Sequence, residues 1–269
     1  MTYPVRLAVQ LAPQHTPWPV MHAAVAALEA MGVDIALTWD HFFPLSGDRD
    51  GMHFEAWTTL AAWAEQTRTI QLGPLVTATA YRNADLLADM ARTVDHISAH
   101  EGTAGRLVLG IGSGWAERDF IEYGYEFGTV GGRLEQMTAA LATVTDRWAQ
   151  LNPPPTRAIP ILIGGGGERR TLPAVARYAD IWHSFSDAET LEHKLGVLAE
   201  HCRRIGRDIS EIEISTGLPV DRLRSGDDEL FWAHRALGAS IYTLELHGPD
   251  YDFGAVEQAL RWRDRANAG

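Results

Sequence analysis

Eight short apolar runs, each followed by a longer stretch of helical period, punctuate this chain from Val5 to Ala266. That rhythm is the strongest constraint on the fold, because strands that alternate with helices build parallel βα units. The runs fall at Val5–Leu11, Asp34–Trp39, Ile70–Thr77, Arg106–Ile111, Pro160–Ile163, Asp180–His183, Glu211–Gly217 and Ser240–Leu246. Helical stretches follow in turn, among them Pro19–Met31, Ala84–Ile97, Gly132–Trp148 and Ala188–Ile205, with Phe253–Ala266 closing the series. Continuous apolar cores such as ILIG and LVLGIG suit strands covered on both faces. Eight such units predict a single α/β domain over residues 1–269, a (β/α)₈ barrel. An open doubly wound sheet is the alternative, since a strand count does not distinguish a closed sheet from an open one.

Composition narrows the function. A chain of 269 residues can bury a full core without staples, and its one cysteine, Cys202, excludes a disulfide framework or a cysteine zinc cluster. The formal net charge is −12, which opposes nucleic acid and anionic membrane as partners. No apolar run approaches the roughly 20 residues of a membrane span, and the N-terminus does not read as a signal peptide. A cytoplasmic protein acting on a small molecule is the expectation.

In a (β/α)₈ barrel the chemistry lies at the carboxyl ends of the strands. Those ends carry Asp40-His41, then Thr77, then Gly112-Ser113-Gly114-Trp115, then Gly164-Gly165-Gly166-Gly167 with Glu168-Arg169-Arg170-Thr171, then His183 and His247. The four-glycine run is the sharpest signal. Glycines allow close approach of backbone to ligand, and the following helix directs free N–H groups at it, so a phosphate is the natural guest. A tight strand-to-helix turn with no ligand is the bland alternative. No Gly-Lys-Ser/Thr follows, so the run is not a Walker A loop. Position 111 is isoleucine, so Ser113 does not sit in a G-x-S-x-G nucleophile elbow. Asp40-His41 reads as an acid/base pair, or as a helix-capping aspartate beside a rim histidine. His96 and His100 have a metal-compatible spacing but fall at the opposite end of the barrel, and no metal site is predicted.

The segments TWDHFF, EAWTTLAAWAEQT, LGPLVTATAYRNADLLADMARTVDHIS, GRLVLGIGSGW and PILIGGGGERRTLPAVARYAD together resemble the bacterial-luciferase-like superfamily, in particular its branch using the deazaflavin coenzyme F420. The match covers roughly Val5 to Arg207. The resemblance implies a barrel, usually dimeric, with F420 or FMN at its carboxyl face. It implies that Asp40 and His41 lie beside the deazaflavin ring, His41 donating a proton during hydride transfer. It places Thr77, Gly112, Ser113 and Gly114 against the coenzyme, and a non-prolyl cis peptide at Pro74–Leu75. It assigns Gly164, Gly165, Gly166, Gly167, Arg169, Arg170 and Thr171 to the coenzyme's phosphate, with Arg82 a further candidate to offset its charge. The sugar-phosphate dehydrogenases of this family carry a glutamate where this chain has Trp115, so sugar-phosphate oxidation is not expected. The connection Ala149–Ala158 is also shorter than in relatives. The implied reaction is reduction of an activated double bond, or interconversion of a carbonyl and an alcohol. An FMN-dependent monooxygenase and a cofactor-binding protein without turnover are the alternatives.

Overall fold

The computed structural model describes residues 3–269. The strands are β1 (Arg6–Leu11), β2 (Ile35–Thr38), β3 (Gln71–Pro74), β4 (Thr77–Ala78), β5 (Leu109–Gly112), β6 (Ile161–Gly164), β7 (Ile181–Ser184), β8 (Glu213–Gly217) and β9 (Ala239–Leu246). All pairs are parallel and run in the order β3-β2-β1-β9-β8-β7-β6-β5-β4. β3 and β4 are two halves of the predicted third strand, parted at the cis Leu75–Val76 peptide. The predicted cis bond, Pro74–Leu75, is therefore corrected by one residue. Leu72 of β3 bridges Leu107 ahead of β5, so the sheet returns on itself and the open-sheet alternative falls.

The helices are α1 (Trp18–Met31), α2 (Ala56–Gln66), α3 (Ala84–Ser98), α4 (Glu117–Glu122), α5 (Val130–Trp148), α6 (Thr171–Tyr178), α7 (Ala188–Arg204), α8 (Val220–Ser225), α9 (Glu229–Ala236) and α10 (Phe253–Ala268). Local chemistry explains the starts. Glu55 accepts from the N–H groups of Trp57 and Thr58 to open α2, and Asn83 does the same for Asp85 and Leu86 at α3. The six-residue helices α4 and α8 were absent from the periodic reading, because fewer than two turns leave no recurrent apolar face. No helix is long and apolar enough to cross a membrane among the described residues.

Two apolar layers result. One lies between strands and helices and contains Leu7, Val9 and Leu11 of β1. The other fills the barrel with Ala8, Ile35, Leu37, Val108, Leu162, Ile181 and Ile241. Strand side chains alternate in face, so the next inward positions after these residues are Gln10, Trp39, Gly164, His183 and, two steps on, Glu245. The pleat itself thus delivers a set of residues to the carboxyl mouth.

The barrel is tightest where β3 passes β5. A Cβ built on Gly110 would stand 1.9 Å from the Pro74 carbonyl oxygen, and one on Gly73 would stand 2.1 Å from that of Val108. Backbone cannot yield as a flexible side chain would. Gly110→Ala should cost about 3 kcal/mol by overpacking, which lowers Tm by roughly 6–12 °C for a chain of this size. Gly196→Ala, in the middle of α7 with nothing near its Cβ, should raise stability by about 0.5–1 kcal/mol. Thermal unfolding of both variants checks the pair; a Gly110→Ala protein as stable as the parent would refute the crossing.

Candidate active site

A cavity of about 550 Å³ opens at the carboxyl ends of the strands. Its floor is backbone and small apolar side chains: Leu75 and Val76 at the break in strand three, Ala78, and the strand ends Gly112 and Gly164. Val76 is wedged among the glycines, since a Cβ on Gly112 would lie 2.5 Å from its Cγ2 and one on Gly164 3.2 Å from its Cγ1. Gln10 donates from Nε2 to the Leu75 carbonyl oxygen at 2.7 Å and so holds the break from beneath.

His41 stands in the wall of this cavity, 9% exposed. Its Nδ1 lies 2.6 Å from Oδ2 of Asp119 on α4. Asp119 also accepts from the Phe42 N–H at 3.1 Å and the Tyr81 hydroxyl at 3.0 Å. Burial works to raise the Asp119 pKa, but hydrogen bonds from His41, Phe42 and Tyr81, with the His41 charge, hold it below the usual carboxylate value. Tyr81, buried beside that carboxylate, is raised well above its ordinary value and remains a donor. An ionised Asp119 accepts, so the proton on His41 is assigned to Nδ1 and Nε2 is the nitrogen left for a ligand.

Asp40 does not serve His41. Its carboxylate is buried and faces Arg82 in a two-point ion pair, Nη1 to Oδ2 at 2.5 Å and Nη2 to Oδ1 at 3.1 Å. The Thr77 hydroxyl donates to the same carboxylate, and the Trp57 indole N–H donates to Thr77 at 3.0 Å. The Asp40-His41 acid/base pair expected from sequence adjacency is corrected: Asp40 and Thr77 form a buried structural knot, and the carboxylate that orients His41 lies 78 positions further on. Arg82 is consumed by the same knot and is not free to offset a coenzyme's charge.

Of the other expected residues, Ser113 and Gly114 line the cavity beside Gly112, and Gly165 lines it beside Gly164. Gly165 has φ 109°, a value that favours glycine. Gly166, Gly167, Arg169, Arg170 and Thr171 do not line it; they lead outward along the loop into α6. Among the described residues nothing accepts from the N–H groups of Gly166 or Gly167. Thr171 is buried under Gly167, Arg169 is exposed, and Arg170 reaches away to Glu135 at 2.5 Å. Lys194 of α7, the sole lysine, stands behind Gly166 and pairs with Glu168 at 2.6 Å.

Several lining residues escaped the sequence reading. Val76 was one position from the expected break. Gln10, Phe185 and Glu245 follow from the pleat once the inward face of each strand is known. His183 is fully buried at the end of β7, its Nδ1 2.8 Å from Ser215 Oγ and its Nε2 without a partner. No group of His, Cys, Asp and Glu capable of holding a metal occurs among the described residues, and the His96–His100 spacing is spent on backbone carbonyls of Pro154 and Thr67.

The chain belongs to the luciferase-like monooxygenase family, whose pattern it matches over residues 3–258. It is 27% identical over 259 residues to an F420-dependent glucose-6-phosphate dehydrogenase of Amycolatopsis mediterranei, across 85% of this chain and 73% of that protein. Its fold is similar to that of an F420-dependent secondary alcohol dehydrogenase solved with an F420-acetone adduct. There the TM-score is 0.82 at 15% identity, over 98% of this chain and 99% of that one. A monooxygenase from Streptomyces bottropensis shares the fold with TM-score 0.75 at 15% identity, over 96% and 98% of the two chains.

Fully buried His183 and half-buried His53 set a pH dependence, and buried His234, also lowered by desolvation, adds to it in the same sense. Burial, with His41 nearby, pushes His53 down to about 4, and burial alone pushes His183 down to about 3. An unfolded imidazole titrates near 6.5. At pH 8 neither state holds these protons, so they add no slope. At pH 5 only the unfolded chain holds them, so unfolding takes up about two protons and stability falls by about 2.7 kcal/mol per pH unit. Tm should therefore decline from pH 7 to pH 5, and His183→Asn should remove about half of that decline. A Tm unchanged over this interval would contradict neutral burial of the pair.

Proposed function

We propose that this protein is an F420-dependent oxidoreductase that moves a hydride between the deazaflavin and a small organic substrate bearing an activated double bond or a carbonyl/alcohol pair. The observation that carries this reading is His41, held in the cavity wall by an ionised Asp119 with Nε2 left unpaired. The relationship to a glucose-6-phosphate dehydrogenase that uses F420 supports the choice of coenzyme.

The residues present fit such a coenzyme. A flat ring needs a flat apolar bed, and Leu75, Val76, Ala78, Gly112 and Gly164 form one. The fully buried, unpartnered His183 Nε2 is a polar atom for which the protein itself supplies no partner. The N–H groups of Gly166 and Gly167, unpaired among the described residues, suit an anionic tail leading out of the cavity. When bound, the deazaflavin supplies or accepts the hydride.

The chain's own residues do the rest. Asp119 fixes the imidazole of His41 through Nδ1, so His41 can place a proton on a substrate oxygen from Nε2, or take one back in the reverse direction. Tyr81 and the Phe42 N–H keep Asp119 ionised and immobile. Trp39 and Trp115 both pack edge-on near the imidazole, at ring-centroid distances of 6.4 and 5.6 Å, and limit its contact with water.

His41→Ala should cut turnover with F420 by roughly 10²–10⁴-fold while changing the F420 dissociation constant little. Asp119→Asn removes a charge-assisted hydrogen bond of about 1.5–3 kcal/mol, which corresponds to roughly a ten- to hundredfold loss of turnover. Equal losses of binding and turnover would reject His41 as proton donor. Fluorescence titration of the purified protein with F420 and with FMN tests the coenzyme itself. Preference for FMN would turn the reading to a luciferase-like monooxygenase, and binding of neither would end it.

A further inference from the structure

The cavity contains no lysine and no arginine among its lining residues. The guanidinium and ammonium groups around it are engaged elsewhere: Arg82 with Asp40, Lys194 with Glu168 at the outer loop, Arg118 with Asp50 and Glu122, and Arg133 with the carbonyl oxygens of Gly114, Phe127 and Gly128. Gln10 spends its amide on Leu75. At the rim His247 stands 2.9 Å from Glu245, whose hydrogen bond raises the histidine's pKa, so that pair is internally compensated. An anion entering here would lose water and find no opposite charge, inside a protein whose net charge is −12.

Two large rings stand at the mouth instead. Trp115 is 66% exposed and meets the His41 ring edge-on at 5.6 Å. Phe185 is 73% exposed and covers the buried His183 at 4.3 Å. Side chains of this size left in water on the rim of one cavity mark a surface that a ligand completes.

We propose that the substrate of this site is an uncharged, flat molecule, an aromatic or conjugated carbonyl compound or its alcohol, gripped by Trp115 and Phe185 with its oxygen toward His41. Phosphorylated and carboxylate-bearing compounds are excluded by the same cavity. This rests on the oxidoreductase reading above and sharpens it to a substrate class.

The test is calorimetric titration of the protein in saturating oxidised F420, where an aldehyde has no hydride donor and binding is read without turnover. The probes are 4-methoxybenzaldehyde, 4-carboxybenzaldehyde and glucose 6-phosphate. The neutral aldehyde should bind at least about tenfold more tightly than its carboxylate analogue, a difference of about 1.4 kcal/mol, and glucose 6-phosphate should give no heat. Trp115→Ala and Phe185→Ala should each weaken the neutral aldehyde by roughly three- to tenfold, with F420 affinity within twofold of the parent. Carboxylate or phosphate binding as tight as the neutral aldehyde would overturn the proposal. So would absence of aldehyde binding, or aldehyde affinity unchanged in both variants. A loss of F420 affinity in Trp115→Ala and Phe185→Ala would also overturn it, because the rings would then be coenzyme contacts. Failure of the parent protein to bind F420 in its own titration defeats the coenzyme reading separately, and the aldehyde titrations are then run without it.

Discussion

The buried ion pair between Asp40 and Arg82 is the constraint on which the site depends. It ties the residue just beyond β2 to the residue that leads into α3, with Thr77 of β4 bonded to both. Breaking such a pair by removing one partner typically costs about 3–5 kcal/mol, because the other charge stays buried alone. More than stability follows from it. Asp40 lies between Trp39 and His41 just past the end of β2, so committing its carboxylate to Arg82 anchors the segment from which those two neighbours line the cavity. Arg82 in turn feels burial, which would lower its pKa, but the Asp40 carboxylate prevails and raises it. The guanidinium of the knot is therefore held charged by the carboxylate it faces.

The second carboxylate has a different task. Asp119 sits on a six-residue helix that the barrel does not require, and its oxygens are divided among a histidine, a hydroxyl and a backbone N–H. One aspartate holds the frame and the other orients the imidazole of His41, and their environments separate the roles. Asp40 faces a permanent cation and accepts two of its N–H groups. Asp119 faces a group that can gain or lose one. Around them the cavity combines glycine, aliphatic and aromatic surface with histidine, serine and carboxylate groups, and no lysine or arginine lines it.

The barrel was legible because its signals are local. An apolar run followed by a helical period needs only a window of some 15 residues, and the strand ends then follow by counting. Asp40, His41, Gly112, Ser113, Gly114, Gly164 and Gly165 were reached in that way, and they do converge. Thr77 was placed correctly at a strand end but turned into the knot rather than the cavity. Arg170 was read as a phosphate ligand on charge and position, whereas Glu135 of α5 claims it across a surface groove. His183 was named at its strand end, and Glu245 was within reach of the alternation of strand faces, four residues beyond Ile241, had the inward face been assigned first.

The sequence by itself determined the eight βα units, the mouth at which their ends gather and the identity of the histidine there. Each of these is written in spacing along the chain. Only the tertiary structure decided which carboxylate serves that histidine, which carboxylates claim Arg82 and Arg170, and that the cavity lining carries aromatic rings and no lysine or arginine. Pairings of that kind join residues such as His41 and Asp119, or Arg170 and Glu135, whose meeting depends on how loops cross the barrel's face. Burial then fixes the outcome: once water is excluded, each charge must take the partner within reach, and neighbours in sequence have no privilege.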